Sequence, residues 1–138
     1  MALTGRCLCG AVKFTAEGAR ENFSACHCEM CRRWGSGPLL SVGAKSVAFD
    51  GESALGRYRS SEWAERGFCK VCGWNLFYHM LKEDRYMMAV GAFDDQSGFE
   101  IARQVFIDEK PGFYDLEPLG STSTGDDFFT RYPALKEK

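Results

Sequence analysis

Seven cysteines in 138 residues are the groups with the most chemistry to offer, and they fall into three clusters. These are Cys7-x-Cys9, Cys26-x-Cys28-x2-Cys31 and Cys69-x2-Cys72. An odd number is awkward for a disulfide framework, and disulfides belong to oxidising compartments. Thiolates in close pairs are instead the ligand set of a soft divalent metal, zinc above all. In an extended strand residues i and i+2 share a face, so Cys7 and Cys9 are expected to grip one ion from a strand. A C-x2-C turn does the same by folding the backbone around the metal. Cys7, Cys9, Cys69 and Cys72 together supply four thiolates, a closed tetrahedral zinc site.

The middle cluster is different, because Cys26, Cys28 and Cys31 form a local three-thiolate unit. Keeping each local chelator intact leaves one partition, four sulfurs and three. Gly10 and Gly73 each follow the second cysteine of an outer pair, where the chain often turns with positive φ, whereas Glu29 and Arg32 stand at those places in the middle cluster. Three ligands and an open fourth position describe a catalytic zinc. Two zinc ions per chain are therefore expected. The bland alternative is two structural zincs, the second closed by His27, water or a distant residue. An iron–sulfur cluster suits the ligand type, but the spacings match none of the common ferredoxin runs. A dithiol redox role has less support, since no pair stands apart from the metal pattern.

The elements that hold these clusters read as strands nearly everywhere. Alternation marks Ala11–Ala16 and Arg57–Arg59, with further strands expected at Asn22–Ala25, Leu39–Val42, Ser46–Phe49, Arg66–Cys69, Asn75–Leu81, Tyr86–Val90 and Ile101–Ile107. Turn signals separate them at Phe49–Glu52, Asp94–Gly98 and Lys110–Gly112. One short helical turn is expected at Glu29–Trp34. The stretch Gly120–Lys138 is polar and reads as a loosely attached tail beyond a zinc-binding domain at 1–119.

Composition narrows the function classes. Seventeen Lys and Arg against nineteen Asp and Glu give a net charge of −2, without the basic footprint of a nucleic-acid binder. Eleven Phe, five Tyr and three Trp can fill one core. Arg6, Lys13, Glu17 and Arg20 leave the first twenty residues without the apolar run of a signal peptide, and no stretch reaches the roughly 20 apolar residues of a membrane span. A reducing cytoplasm is the simplest compartment, with no membrane or nucleic-acid partner expected; the oligomeric state stays open.

Three segments carry a resemblance: Gly5-Arg6-Cys7-Leu8-Cys9-Gly10-Ala11-Val12, Cys26-His27-Cys28-Glu29-Met30-Cys31-Arg32-Arg33 and Phe68-Cys69-Lys70-Val71-Cys72-Gly73-Trp74-Asn75-Leu76-Phe77. The pattern resembles the glutathione-dependent formaldehyde-activating enzyme family, which includes centromere protein V relatives, from about Gly5 to about Tyr114. The resemblance implies an all-β, Mss4-like fold of twisted antiparallel sheets stapled by zinc. It also implies a structural zinc on Cys7, Cys9, Cys69 and Cys72 and a catalytic zinc on Cys26, Cys28 and Cys31. The implied activity is a carbon–sulfur lyase reaction joining glutathione and formaldehyde into S-hydroxymethylglutathione. Two positions depart from the family pattern: Gln104 stands where many relatives have histidine, and Phe113 where many have tryptophan.

Charge supports a thiol substrate independently. Zinc with three thiolates carries a formal charge of −1, a poor Lewis acid toward water but a good holder of a soft fourth sulfur. A substrate thiol would be kept as thiolate beside a small carbonyl. Arg32 and Arg33 are the cations next to the cluster in sequence and are expected to pair with substrate carboxylates, their bland reading being a solvated pair. His27 is expected to point away from the metal, His79 to be a satisfied sheet residue, Trp34 and Trp74 to cover the metals, and Asp94 and Asp95 to form a turn. Three function classes follow: an enzyme handling thiol–aldehyde adducts, a non-catalytic zinc-stabilised binding module, and a metal or redox buffer.

Overall fold

The computed structural model describes residues 2–135. Two sheets enclose the core. The smaller is antiparallel and ordered β1-β2-β5, from β1 (Ala2–Arg6), β2 (Lys13–Glu17) and β5 (Ser46–Asp50). The larger contains β3 (Asn22–Cys26), β4 (Leu39–Ala44), β6 (Leu55–Arg59), β7 (Ala64–Cys69), β8 (Asn75–Met80), β9 (Arg85–Ala89), β10 (Glu100–Val105) and β11 (Ser121–Thr122). Its order is β11-β10-β3-β4-β9-β8-β7-β6. Two short helices complete the chain, α1 (Glu29–Gly35) and α2 (Gly125–Arg131).

Period-two patterning explains the smaller sheet. On β2 the side chains of Phe14 and Ala16 are buried while Lys13 and Glu17 are exposed. Phe14 lies opposite Phe49 of β5 and meets Phe93 edge-on at 5.3 Å between ring centroids. Phe49 in turn reaches Phe77 of the larger sheet at 5.3 Å. Leu76, Phe77, Met88, Val12 and Val42 are fully buried in this contact layer. Cys7 and Cys69 belong to the same core cluster. Two of the four outer cysteines are thus part of the packing that joins the two sheets.

The all-β expectation holds, with three differences. β10 runs parallel to β3, placing Val105 opposite Cys26, and β11 runs parallel to β10. Parallel pairing needs a long return path rather than a hairpin. The chain from the end of β9 supplies it by crossing beside the smaller sheet, where the Asp94 amide donates to the Thr4 carbonyl at 3.0 Å. β1 has no expected counterpart, because only Leu3 in Ala2–Arg6 offers a large apolar side chain to mark a strand. The stretch from Gly120 onward carries two further elements. β11 extends the sheet, and α2 opens on a reciprocal capping box between Thr124 and Asp127. The Gly125 amide also donates to Asp108 at 2.8 Å. Its Ser, Thr and Asp content reads as a solvated tail, yet those are the residue types that cap helices. Lys136–Lys138 lie outside the described residues.

Among the described residues no helix is long and apolar enough to cross a membrane.

Candidate metal centres and the adjoining cavity

The outer cluster is built from two tight turns. Cys7 and Cys9 follow β1; the Gly10 amide donates back to the Cys7 carbonyl at 3.2 Å, and Gly10 sits at φ 81°. Cys69 ends β7 and Cys72 lies in the turn before β8; the Gly73 amide donates to the Cys69 carbonyl at 2.8 Å, with φ 78°. Both glycines occupy the left-handed region, as their places in the sequence imply. The strand expected at Cys7–Cys9 is corrected. The Cys7 amide donates to Val12, five residues on, which folds the segment into a loop and brings the sulfurs together by turning rather than by pleat.

The sulfur geometry suits a tetrahedral ion. All four Sγ atoms lie within 4.8 Å of one another, with Cys7–Cys9 at 3.7 Å and Cys9–Cys69 at 3.8 Å. A tetrahedron with metal–sulfur bonds of about 2.3 Å has edges of about 3.8 Å. Amides add to this. Val12 donates to Cys7 and Ala11 to Cys9, both at 3.4 Å, while Val71 and Cys72 donate to Cys69 at 3.3 and 3.4 Å. Such bonds favour the thiolate. Although burial works against it, backbone hydrogen bonds from Cys9 and Trp74 bring the Cys72 thiol down to about 6.

The middle cluster hangs on three different local structures. Cys26 ends β3, Cys28 is the N-cap of α1, and Cys31 sits in the first turn of α1 and donates its amide to the Cys28 sulfur at 3.4 Å. Their three Sγ atoms also lie within 4.8 Å of one another. Hydrogen bonds from Cys26 and Cys31 bring Cys28 down to about 2, whereas Cys28, Cys31 and burial push Cys26 far up. Cys31 stands at about 11, drawn down by Cys26 but raised further by Cys28 and by burial. By themselves, the three sulfurs therefore hold one negative charge readily and resist a second. A divalent cation removes that resistance, so the donor set fits a metal.

Arg66 is the cation that reaches these sulfurs. It is only 4% exposed, and its Nη1 lies 3.6 Å from the Cys31 Sγ. Its guanidinium is flanked by the rings of Trp34 at 5.0 Å and Tyr78 at 5.1 Å. Among the described residues no carboxylate pairs with it, so the sulfur cluster is its countercharge. A signal for Arg66 was present in the sequence. By strand alternation it shares a face with Ala64 and Phe68, opposite Glu65, which makes it a charge on the apolar side of β7.

Arg32 and Arg33 are placed elsewhere. Arg33 is exposed and pairs with Glu29 at 3.6 Å, while Arg32 donates through Nε to the His27 carbonyl at 2.9 Å. His27 turns away from the sulfurs as expected. Its buried ring lies 2.7 Å from Gln104 Oε1 and 2.8 Å from the Tyr114 hydroxyl. Gln104 donates through Nε2 to the Leu116 and Leu119 carbonyls, so its oxygen accepts from His27 Nε2, and Tyr114 donates to Nδ1. Gln104 thus holds His27 and the segment after β10 together, while Phe113 is exposed. His79 is a satisfied sheet residue, bonded to Glu65 at 3.2 Å and Asp84 at 2.8 Å. Trp34 covers Arg66 rather than sulfur, and Trp74 packs on the core. Asp95 closes a turn by accepting from the Ser97 amide and hydroxyl.

A cavity of about 490 Å³ opens on Cys26, Cys28 and Cys31, with Arg66 and Tyr78 in its wall. It continues into a polar groove of about 790 Å³, to which Arg20 and Lys45 belong; Ser24, Ser41, Arg85 and Arg103 border both spaces. Burial holds the Tyr78 phenol above its ordinary range and hence protonated, against the opposing pull of Arg66.

Comparison with known proteins agrees with this architecture. The sequence profile of the glutathione-dependent formaldehyde-activating enzyme family matches residues 2–109. A Schizosaccharomyces pombe protein described as an uncharacterized lyase is 34% identical over 125 residues, spanning 89% of this chain and 91% of the relative. The crystal structure of a Rhodobacter sphaeroides protein shares the fold at a TM-score of 0.60 and 20% identity, over 88% of this chain and 100% of that one.

Proposed function

Since this chain belongs to the glutathione-dependent formaldehyde-activating enzyme family, we propose that it joins a glutathione-like thiol to a small aldehyde, or parts the two, at the three-cysteine centre. The observation that carries this reading is the cavity. Its wall includes Cys26, Cys28 and Cys31 and none of the four outer cysteines. Zinc held by the three cysteines would supply a soft cation that keeps a fourth sulfur, the substrate's, as thiolate. We assign a second zinc to the outer four, as a structural ion.

In the forward direction a sulfur–carbon bond forms, the carbonyl π bond opens, and the thiol proton ends on the new hydroxyl. This chain's residues manage the charge. Arg66 beside Cys31 offsets the extra negative charge that a fourth sulfur brings. Tyr78, protonated and in the same wall, is assigned as hydrogen-bond donor to the carbonyl oxygen. Arg85 and Arg103, at the border with the groove, are assigned to the carboxylates of the thiol, in place of Arg32 and Arg33. All seven cysteines are free, which suits a reducing compartment, and we assign the cytoplasm.

The test is exchange spectroscopy on glutathione and formaldehyde at equilibrium, with protein of measured zinc content. Acceleration of adduct exchange by the parent, abolished in Cys28→Ser, is expected. A folded, two-zinc parent that leaves the exchange rate unchanged would leave only a zinc-stabilised binding module.

A further inference from the structure

The cavity beside the three sulfurs is too large and too apolar for formaldehyde. Its volume of about 490 Å³ is many times what one water requires, whereas formaldehyde has two heavy atoms. Part of its wall is aromatic. Trp63, Phe106, Phe128 and Phe129 form a connected set, with centroids at 6.3 Å for Trp63–Phe128, 5.2 Å for Phe106–Phe128 and 5.3 Å for Phe128–Phe129. All four are half-buried, so each keeps apolar surface uncovered beside the cavity they line.

Charge shows which part of a substrate this wall receives. Arg85, Arg103 and Arg131 stand where the cavity meets the polar groove. Acidic groups of the wall are already engaged: Glu109 accepts from the Glu29 amide at 2.9 Å, and Asp127 closes the capping box of α2. Arg85, Arg103 and Arg131, which also border the groove, are therefore assigned to the carboxylates of a charged thiol such as glutathione. The four aromatic side chains offer no partner to a charge, so what sits against them is apolar, and it is continuous with the reacting carbon because the sulfur cluster lies in the same cavity. Phe128 and Phe129 come from α2, beyond residue 109 where the family match ends.

We propose that the carbonyl partner of this enzyme carries an apolar substituent, an aromatic ring or a medium-length alkyl chain, seated against Trp63, Phe106, Phe128 and Phe129. This rests on the thiol–aldehyde reading and specifies its second substrate.

Calorimetric titration of the zinc-loaded full chain tests it, with glutathione, its S-methyl, S-propyl and S-hexyl derivatives, and separately hexan-1-ol and benzyl alcohol. Each methylene buried is worth about four-fold in affinity, so a steep rise from S-methyl to S-hexyl is expected. Phe128→Ala should flatten that ladder. Should this variant lose its fold, Phe128→Leu keeps an apolar side chain and should weaken benzyl alcohol more than hexan-1-ol. A flat ladder in the parent overturns the proposal while glutathione binding keeps the thiol–aldehyde reading. Alcohols that bind by chain length, beside glutathione compounds that do not bind, support the apolar seat and overturn the glutathione reading. Failure of both series overturns both.

Discussion

The two cysteine clusters use one chemistry and differ in their surroundings. In the outer cluster Cys7 and Cys69 are buried in the layer joining the two sheets, and backbone amides surround the sulfurs. In the middle cluster the sulfurs border a cavity and their nearest charge is a side chain, Arg66. Amides in tight turns are fixed by the fold and suit a permanent ion. A guanidinium beside a cavity can answer a charge that comes and goes. On the proposed reading, the contrast separates a site that holds the protein together from one that exchanges a ligand, and it can be broken experimentally.

The largest effect is expected at the outer site. Structural zinc sites contribute an apparent ~10–16 kcal/mol in small domains, against ~5–15 kcal/mol of net stability. Cys69→Ser should leave a largely unfolded chain by circular dichroism; a cooperative melt near the parent temperature would remove the structural role. Next comes the middle site. Cys28→Ser should lower zinc from two ions to one per chain, read by elemental analysis, with the melt retained. Loss of both ions would make the two sites one.

A smaller effect is expected from the cation. Charge-assisted hydrogen bonds to buried groups are worth roughly 1.5–3 kcal/mol, so Arg66→Met should weaken glutathione binding about ten- to hundred-fold at full zinc occupancy. Arg32→Ala/Arg33→Ala should change it less than about five-fold, a surface pair being worth at most about 1 kcal/mol. The reverse ranking in calorimetry would return the substrate contact to the helix pair.

The smallest effect lies on the other face of β7. Burial opposes ionisation of Glu65, but His79 and Arg57 outweigh it and hold the carboxyl below its ordinary value. Its stabilisation is full above the unfolded carboxylate pKa of about 4.3 and is lost as the pH falls through the lower folded value. Glu65→Gln should therefore reduce the acid sensitivity of the melting temperature below about pH 4.3, with zinc content unchanged at neutral pH. A loss of zinc there would tie the two faces of β7 together.

Much of this was legible in the sequence. Cysteine spacing alone gave the partition into four and three, and both glycine turns followed from position. The strands from β2 to β10 lie within a few residues of where they were expected, β2 most plainly because it buries Phe14 and Ala16 and exposes Lys13 and Glu17. Three things were hidden because they depend on distant partners. β1 is recognisable only by its pairing with β2, and the parallel direction of β10 only by the path of the chain between. Arg66 outranks Arg32 and Arg33 because β7 crosses beside α1, a proximity of 35 positions in the chain that local reading cannot supply. The two elements from Gly120 onward, β11 and α2, were hidden because capping residues and solvated residues are the same types.

The separation of 60 positions between Cys9 and Cys69 also has a meaning in time. A ribosome adding about 5–20 residues per second makes the first outer pair wait about 3–12 s for the second. Cys26, Cys28 and Cys31 emerge together within about one second. The middle trio is thus complete while most of the strands that will flank it are still unmade. The outer four, by contrast, can come together only once Cys72 has been synthesised. On the proposed two-zinc reading, metal supply during translation bears on the two clusters in opposite ways, the middle one able to load early and alone, the outer one closing as the sheets meet.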